Sequence, residues 1–429
     1  MVDIAPRPTK QGPGHDITHG LSPSDRRGMI PETGLREYWY PGIPANKVGK
    51  KPVLVKMLGS DVTFWHGKEH VVAMDNSCPH RGAMMHKSDC WWPGTISCPY
   101  HDWTFNETGD VVAVLGEGPD SKIHGKVTAK MYPTVTLKGV VFVWMGEGEP
   151  APIEEDVPPE LFDDRTVVLH SNVVWPTNWR PAMENIYDSH VAYVHRDSFQ
   201  LMAFPIFQSG PSRDRPEMIN GRALNMKTYQ MQAQVKFPQA TYKAGDERPY
   251  QEHYPLADVL WPRRKNRLLW TWAFKWLMKR ARRHPLITEE HAWQGGHHLP
   301  SMFRANYGTH MYTRWNVPVD AKYSRMFYFH TTRPGSWVGR FYEWVHFHLW
   351  HDWSMNYNFS GQDGRQMIYQ YYDRPEKLSA TDVQTIEWRK MVLEHGRGLV
   401  KPELSDLSEA EVFAEELVQE MQAEMPASG

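Results

Sequence analysis

Three cysteines in 429 residues are too few for a disulfide framework, and Cys78, Cys90 and Cys98 all fall in one short stretch. A secreted scaffold stapled by disulfides is therefore excluded, and the expectation is a cytoplasmic chain with reduced thiols. No uncharged apolar run approaches the roughly 20 residues of a membrane-spanning helix. Charge of one sign is also missing: 48 Lys and Arg against 50 Asp and Glu leave a net −2. Such a balance offers nucleic acid no global field. Neither an internal repeat nor a Gly-x-Gly-x-x-Gly fingerprint occurs, so a dinucleotide would have to be handled by another protein. The start, MVDIAPRPTKQGPGHDITHG, lacks an apolar signal core, and residues 1–35 read as a loose N-terminal arm.

Aromatic residues are abundant instead, with 19 Trp, 19 Tyr and 16 Phe beside 22 Met. Most must pack in a core, and the excess suits a pocket for an apolar ligand. Residues 36–145 alternate short apolar runs (PVLVKML, DVTFWHG, HVVAMD, GVVFVWMG) with turn residues, which predicts an all-β unit. GEGEPAPIEEDVPPE, 146–160, reads as a linker, giving domains at 36–155 and 156–429. In the second, 179–195, 379–395 and 408–421 read as helices. MFYFHTT (326–332) and FYEWVHFHLW (341–350) read as strands by their aromatic and β-branched content. That domain is expected to be α+β, a sheet flanked by helices.

Within CPHRGAMMHKSDCWWPGTISCPYHDW, Cys78-x-His80 and Cys98-x2-His101 offer two thiolates and two imidazoles. Structural zinc accepts that donor set, although its sites usually open with C-x2-4-C and close with H-x3-5-H. A Rieske [2Fe–2S] centre needs this mixture, two Cys on one iron and two His on the other. The prolines after each Cys stiffen both loops, and Trp103 is placed to shield a cluster from water. Cys90 matches neither pair and is expected to be a half-buried free thiol.

CPHRGA followed by CPYHDWTFNETG, with REYWYPGI before them, resembles the Rieske domain of the ring-hydroxylating oxygenase α subunits. The resemblance runs from residue 36 to about 395 and implies a second, mononuclear Fe(II) site in the C-terminal domain. NWRPAMENIYDSHVAYVH then supplies His190 and His195 as iron ligands. Five residues apart, they lie about 140° from each other on a regular helix, so the helix must distort or end there. The family's late acidic ligand matches Asp363 in FSGQDGRQMIYQ, with Asp352 in LWHDW as the rival. Two His and one carboxylate leave iron positions open for O2 and substrate. Asp188 matches the family's bridging carboxylate, which joins the first iron-ligand histidine, here His190, to a cluster histidine, here His101, of a neighbouring subunit. The family has two residues between that Asp and the histidine; DSH has one, which on an ideal helix turns Asp188 about 200° from His190.

The resemblance implies a terminal oxygenase that hydroxylates an apolar, cyclic or aromatic organic substrate with O2. Its electrons would come from NAD(P)H through a separate reductase, with or without a ferredoxin, and its assembly would be a homotrimer or α3β3. Monohydroxylation or oxidative demethylation would use the same ligands, and a Rieske electron carrier would need only the first domain. RRKNRLLWTWAFKWLMKRARR (263–283) suits a membrane surface, an acidic redox partner or a solvated insertion. His297 and His298 are expected in a loop, and Phe199, Leu201, Met202 and Phe204 near the pocket.

Overall fold

The computed structural model describes residues 26–187, 194–195, 198, 210–211, 216–225, 228–229, 283–284, 286, 293, 295–372, 374–379 and 382–399. Asp188, His190, the four apolar residues at 199–204, nearly all of 263–283 and the helix expected at 408–421 lie outside them. The chain divides into two compact units, one of residues 33–163 with 317–321 and one of the remainder.

The first unit is all β. Strand β1 (Trp39–Pro44) opens it, followed by β2 (Val53–Met57), β3 (Ser60–His66) and β4 (Val71–Asp75). The short β5 (Ile96–Ser97), β6 (Trp103–Phe105) and β7 (Val111–Val114) come next. They precede β8 (Met131–Tyr132), β9 (Thr134–Leu137) and β10 (Val140–Trp144). They form sheets ordered β1-β10-β9, β2-β3-β4-β8 and β5-β6-β7. All five residues of β10, VVFVW, are buried, as an unbroken apolar run in a central strand should be. The turn between β2 and β3 has Leu58 at φ 47° before Gly59 at 77°, the left-handed pair of a tight hairpin.

The second unit is built on an antiparallel sheet. Its strands are β11 (Val167–Trp175), β13 (Glu217–Ile219), β14 (Ala223–Asn225), β17 (Gly296–His298), β18 (Met302–Asn306), β19 (His310–Pro318) and β20 (Ser324–Pro334). Their order is β11-β20-β19-β18-β17-β14-β13, and β16 (Arg283–His284) adds to β20. β12 (Gly210–Pro211) and β15 (Thr228–Tyr229) make a separate ribbon. The longest pairing runs from Val167 opposite Thr332 to Trp175 opposite Ser324. Helix α1 (Arg26–Met29) precedes α2 (Trp179–Glu184), and three helical segments follow the sheet: α3 (Trp337–His346) with a π-helix (Phe347–Phe359), α4 (Ser360–Ile368) and α5 (Val383–His395). Among the described residues no helix is long and apolar enough to cross a membrane.

One expected strand is a helix. FYEWVHFHLW, 341–350, lies in α3 and the π-helix. Ser336 caps α3, its Oγ accepting from the Gly339 N–H at 3.1 Å. The aromatic content suggested β structure, yet Trp337, Phe341 and Trp344 repeat at helical spacing. They face outward at 78%, 62% and 53% exposure, while Gly339, Glu343 and His346 are buried. His297 and His298 also differ from expectation: they sit in strand β17, not a loop.

Candidate metal centres

Two loops carry the Cys–His pairs. Cys78 and His80 follow β4, and Cys98 to His101 join β5 to β6. Backbone bonds shape both loops. The Cys78 N–H donates to Ala83 O at 2.9 Å, and Gly82, at φ 73°, donates back to Cys78 O at 2.8 Å. The Cys98 N–H donates to Trp103 O at 2.8 Å, with Asp102 at φ 58° completing the turn. Both thiols are buried, in a core with Trp65, Met85 and Phe105. The histidines sit at the rim, their ring centroids 4.7 Å apart, and Trp103 stacks on His80 at 4.5 Å. Tyr100 lies 3.7 Å from the His101 ring.

The electrostatics suit anionic sulfur. The Cys78 thiol hydrogen-bonds Cys98, which pulls Cys98 down to about 6, helped by the Tyr100 and His101 backbone N–H groups. The same bond, with burial, pushes Cys78 up. Cys90 is separate, half-buried, and raised to about 11 by burial and by Asp89. His80 Nδ1 is buried and meets no hydrogen-bond partner, a vacancy that a metal–nitrogen bond would fill. Two converging sulfurs and two ring nitrogens at the rim thus fit a [2Fe–2S] centre.

In the second unit, α2 starts at Asn178, whose Oδ1 accepts from the Arg180 N–H at 3.1 Å. Trp179 is fully buried, its indole N–H donating to Pro31 O at 2.9 Å. Asn178 and Trp179 therefore hold the helix in place. Glu184 is engaged as well: Arg389 Nε donates to its Oε1 at 2.9 Å and the Tyr372 hydroxyl at 3.1 Å. Beyond Glu184 the helix tightens to a 3-10 turn at Asn185–Tyr187.

His195 is buried and faces Asp363, with Nε2 to Oδ1 at 2.9 Å. Phe359 stacks on the imidazole at 3.8 Å, and Arg314 stands 3.8 Å from the other Asp363 oxygen. Arg314 is itself held by the Ala182 carbonyl at 2.7 Å. A buried imidazole nitrogen against a buried carboxylate is a donor pair that fits a hard divalent cation. Asp352 lies elsewhere, accepting hydrogen bonds from Ser171 and from Asn356 Nδ2, and burial raises its pKa. Its place is explained by those two partners. Sequence reading missed Arg314 and Phe359, since an Arg in a strand and a Phe in an aromatic-rich chain carry no local signature. His297 and His298 are buried at the α2 side of the sheet: His297 Nε2 is 3.0 Å from Met183 O, and His298 stacks on Trp293.

Residues 38–129 match the Rieske [2Fe-2S] domain, and 144–206 match the homotrimeric ring hydroxylase family. The terminal oxygenase component of carbazole 1,9a-dioxygenase from Metapseudomonas resinovorans is 33% identical over 187 residues, 42% of this chain and 49% of that protein. The 3-chlorobenzoate-3,4-dioxygenase oxygenase subunit of Comamonas testosteroni is 30% identical over 171 residues, 38% of each chain. These matches span about half or less of the relatives' length. In fold the likeness runs further: the terminal oxygenase of carbazole 1,9a-dioxygenase from Novosphingobium sp. KA1 superposes with TM-score 0.65 at 24% identity, over 89% of this chain and 98% of that one. A reduced complex between oxygenase and ferredoxin in carbazole 1,9a-dioxygenase superposes with TM-score 0.63 at 22% identity, over 88% of this chain and 93% of that one. By domain content the chain carries a Rieske [2Fe-2S] domain followed by a homotrimeric ring-hydroxylase region, and its fold is like that of the carbazole 1,9a-dioxygenase terminal oxygenases.

Proposed function

We propose that the chain is a cytoplasmic terminal oxygenase that hydroxylates an apolar, ring-containing organic molecule with O2. Electrons from NAD(P)H reach it through a separate reductase and a ferredoxin, and it works as a homotrimer. In this reading residues 36–155 take up electrons and 156–429 use them. Cys78, His80, Cys98 and His101 hold the [2Fe–2S] cluster, and His190, His195 and Asp363 hold Fe(II). The observation that carries the reading is the buried His195–Asp363 pair in a chain that also bears the Cys2His2 site. Bound there, the cluster supplies electrons singly and the iron supplies the place where O2 is activated.

The chain's own residues do the positioning. Phe359 fixes the His195 ring plane, and Arg314 steadies the second Asp363 oxygen, so both donors are held before a metal arrives. Tyr312 and Ser360 share a hydrogen bond at 3.1 Å beneath the Asp363 turn. The buried aromatic walls, Tyr312 and Tyr328 among them, exclude water. Asp188, in the segment between α2 and His195, is the carboxylate assigned to couple His190 to the neighbouring subunit's cluster.

Iron counting and one reduced turnover test this. Three irons per chain are expected in the wild type, with hydroxylated product from a panel of aromatic and polycyclic compounds detected by mass spectrometry. His195→Ala or Asp363→Ala should leave two irons, an intact Rieske absorption and no product. Asp352→Ala should retain three. An active Asp363→Ala enzyme would transfer the carboxylate role to another residue.

A further inference from the structure

We propose that His330, His346 and His351 form an additional divalent-metal site, suited to zinc, with Glu343 as its charge partner. One ring nitrogen from each histidine falls within 4.8 Å of the others. All three are buried, at 2%, 6% and 7% exposure, and Glu343 is fully buried beside them. The His330 and His351 ring centroids are 3.9 Å apart, with His346 at 6.2 and 5.8 Å from them.

The local sequence builds this cluster at a cost. Helix α3 buries Glu343 and His346 while its aromatic residues Trp337, Phe341 and Trp344 face outward. Packing by the hydrophobic effect alone would turn that helix over, because burying a carboxylate and an imidazole is unfavourable without strong compensation. The backbone adapts to the same end. His346 and His351 are five residues apart, which on an α-helix would splay them by about 140°. The chain switches to a π-helix at Phe347, and its i→i+5 winding brings the two to one side. Strand β20 supplies His330 opposite them.

The donor set selects the cation. Neutral imidazoles with a nearby carboxylate and no thiolate suit zinc better than a soft or a purely oxygen-seeking ion. Tetrahedral zinc with bonds of about 2.0–2.1 Å sets its ligands about 3.3 Å apart, so the three rings need to close by at most about 1.5 Å. The Glu343 carboxylate is 3.6 Å from His330 Nε2, close enough to orient that ring and to offset the cation's charge. The cluster is separate from the His195–Asp363 pair: Phe359, which packs on His195, comes eight residues after His351 on the same π-helix. A cation here would staple β20 to the helix that leads into α4 and Asp363.

The test uses the full chain carrying His195→Ala, which disables the other iron site, with the Rieske absorption at full occupancy. After dialysis against zinc chloride, metal counting should find about one zinc per chain. Adding His346→Ala should bring it near zero while the Rieske absorption stays. Should that variant fold poorly, His351→Gln carries the same expectation. Glu343→Gln should weaken zinc retention about 10–100-fold. The proposal is overturned if the His195→Ala chain retains no zinc, or if zinc retention is unchanged in both His346→Ala and His351→Gln.

Discussion

At the residue scale, three cysteines within one domain divide by what surrounds their sulfur. Cys98 receives a thiol hydrogen bond and two backbone N–H groups, which favour the thiolate. Cys90 has burial and a neighbouring Asp89, which favour the thiol. Cys98→Ser should therefore abolish the visible absorption of the cluster, because serine replaces a soft ligand poorly. Cys90→Ser should leave that spectrum unchanged, and equal bleaching of both would refute the division. His298 offers a pH test. Burial lowers its pKa to about 3, against an ordinary value near 6.5. Below pH 6.5 the unfolded chain binds a proton that the folded chain refuses. Stability from this group is therefore complete above that pH and falls by about 1.4 kcal/mol per unit down to about pH 3. His298→Gln should flatten the fall of Tm between pH 6.5 and 4; an identical slope in both proteins would discount the burial.

At the element scale, the helix before the proposed iron ligands is anchored by ion pairs. Arg389 of α5 reaches Glu184 at the end of α2 and also Glu376, which Arg27 of α1 contacts at 3.2 Å. Arg389→Leu would leave two buried carboxylates short of their partner, at a cost of about 3–5 kcal/mol. A drop in Tm of roughly 10 °C is expected for a unit of this size. A change below about 2 °C by differential scanning calorimetry would show that water replaces the arginine. Elements differed in how well the sequence announced them. The β runs of 36–145 were legible because short apolar runs alternate with turn residues, and strand 326–332 because its β-branched and aromatic content matches a strand buried along its length. The helix expected at 379–395 is found over Val383–His395. Residues 341–350 were not legible, since propensity by composition ignored the period and the helix presents its aromatic face outward. The Cys–His loops were readable from spacing alone. Arg314 and Phe359 were not, because strand pairing and helix packing bring them beside His195 and Asp363 from far along the chain.

At the scale of the whole molecule, electrons collected by one domain have to reach iron in another, and in the proposed trimer that crossing is assigned to run between subunits through Asp188. The short DSH spacing argued against this on an ideal α-helix. The helix leaves α geometry at the 3-10 turn Asn185–Tyr187, the last described residues before that segment. The competing carboxylate, Glu184, is held by Arg389 and Tyr372, which leaves it poorly placed to bridge. Asp188→Asn keeps the size and one acceptor and removes the charge. Both metals should then stay bound, with a normal Rieske spectrum and three irons per chain. Losing a carboxylate that orients a ligand histidine typically costs 10–100-fold. Here the loss should appear as slow reoxidation of the pre-reduced cluster on mixing with O2 and substrate. A merely structural role would lower iron content or Tm instead. Stopped-flow reoxidation at the wild-type rate in Asp188→Asn would remove Asp188 from the electron route and leave the crossing to backbone or water between the two histidines.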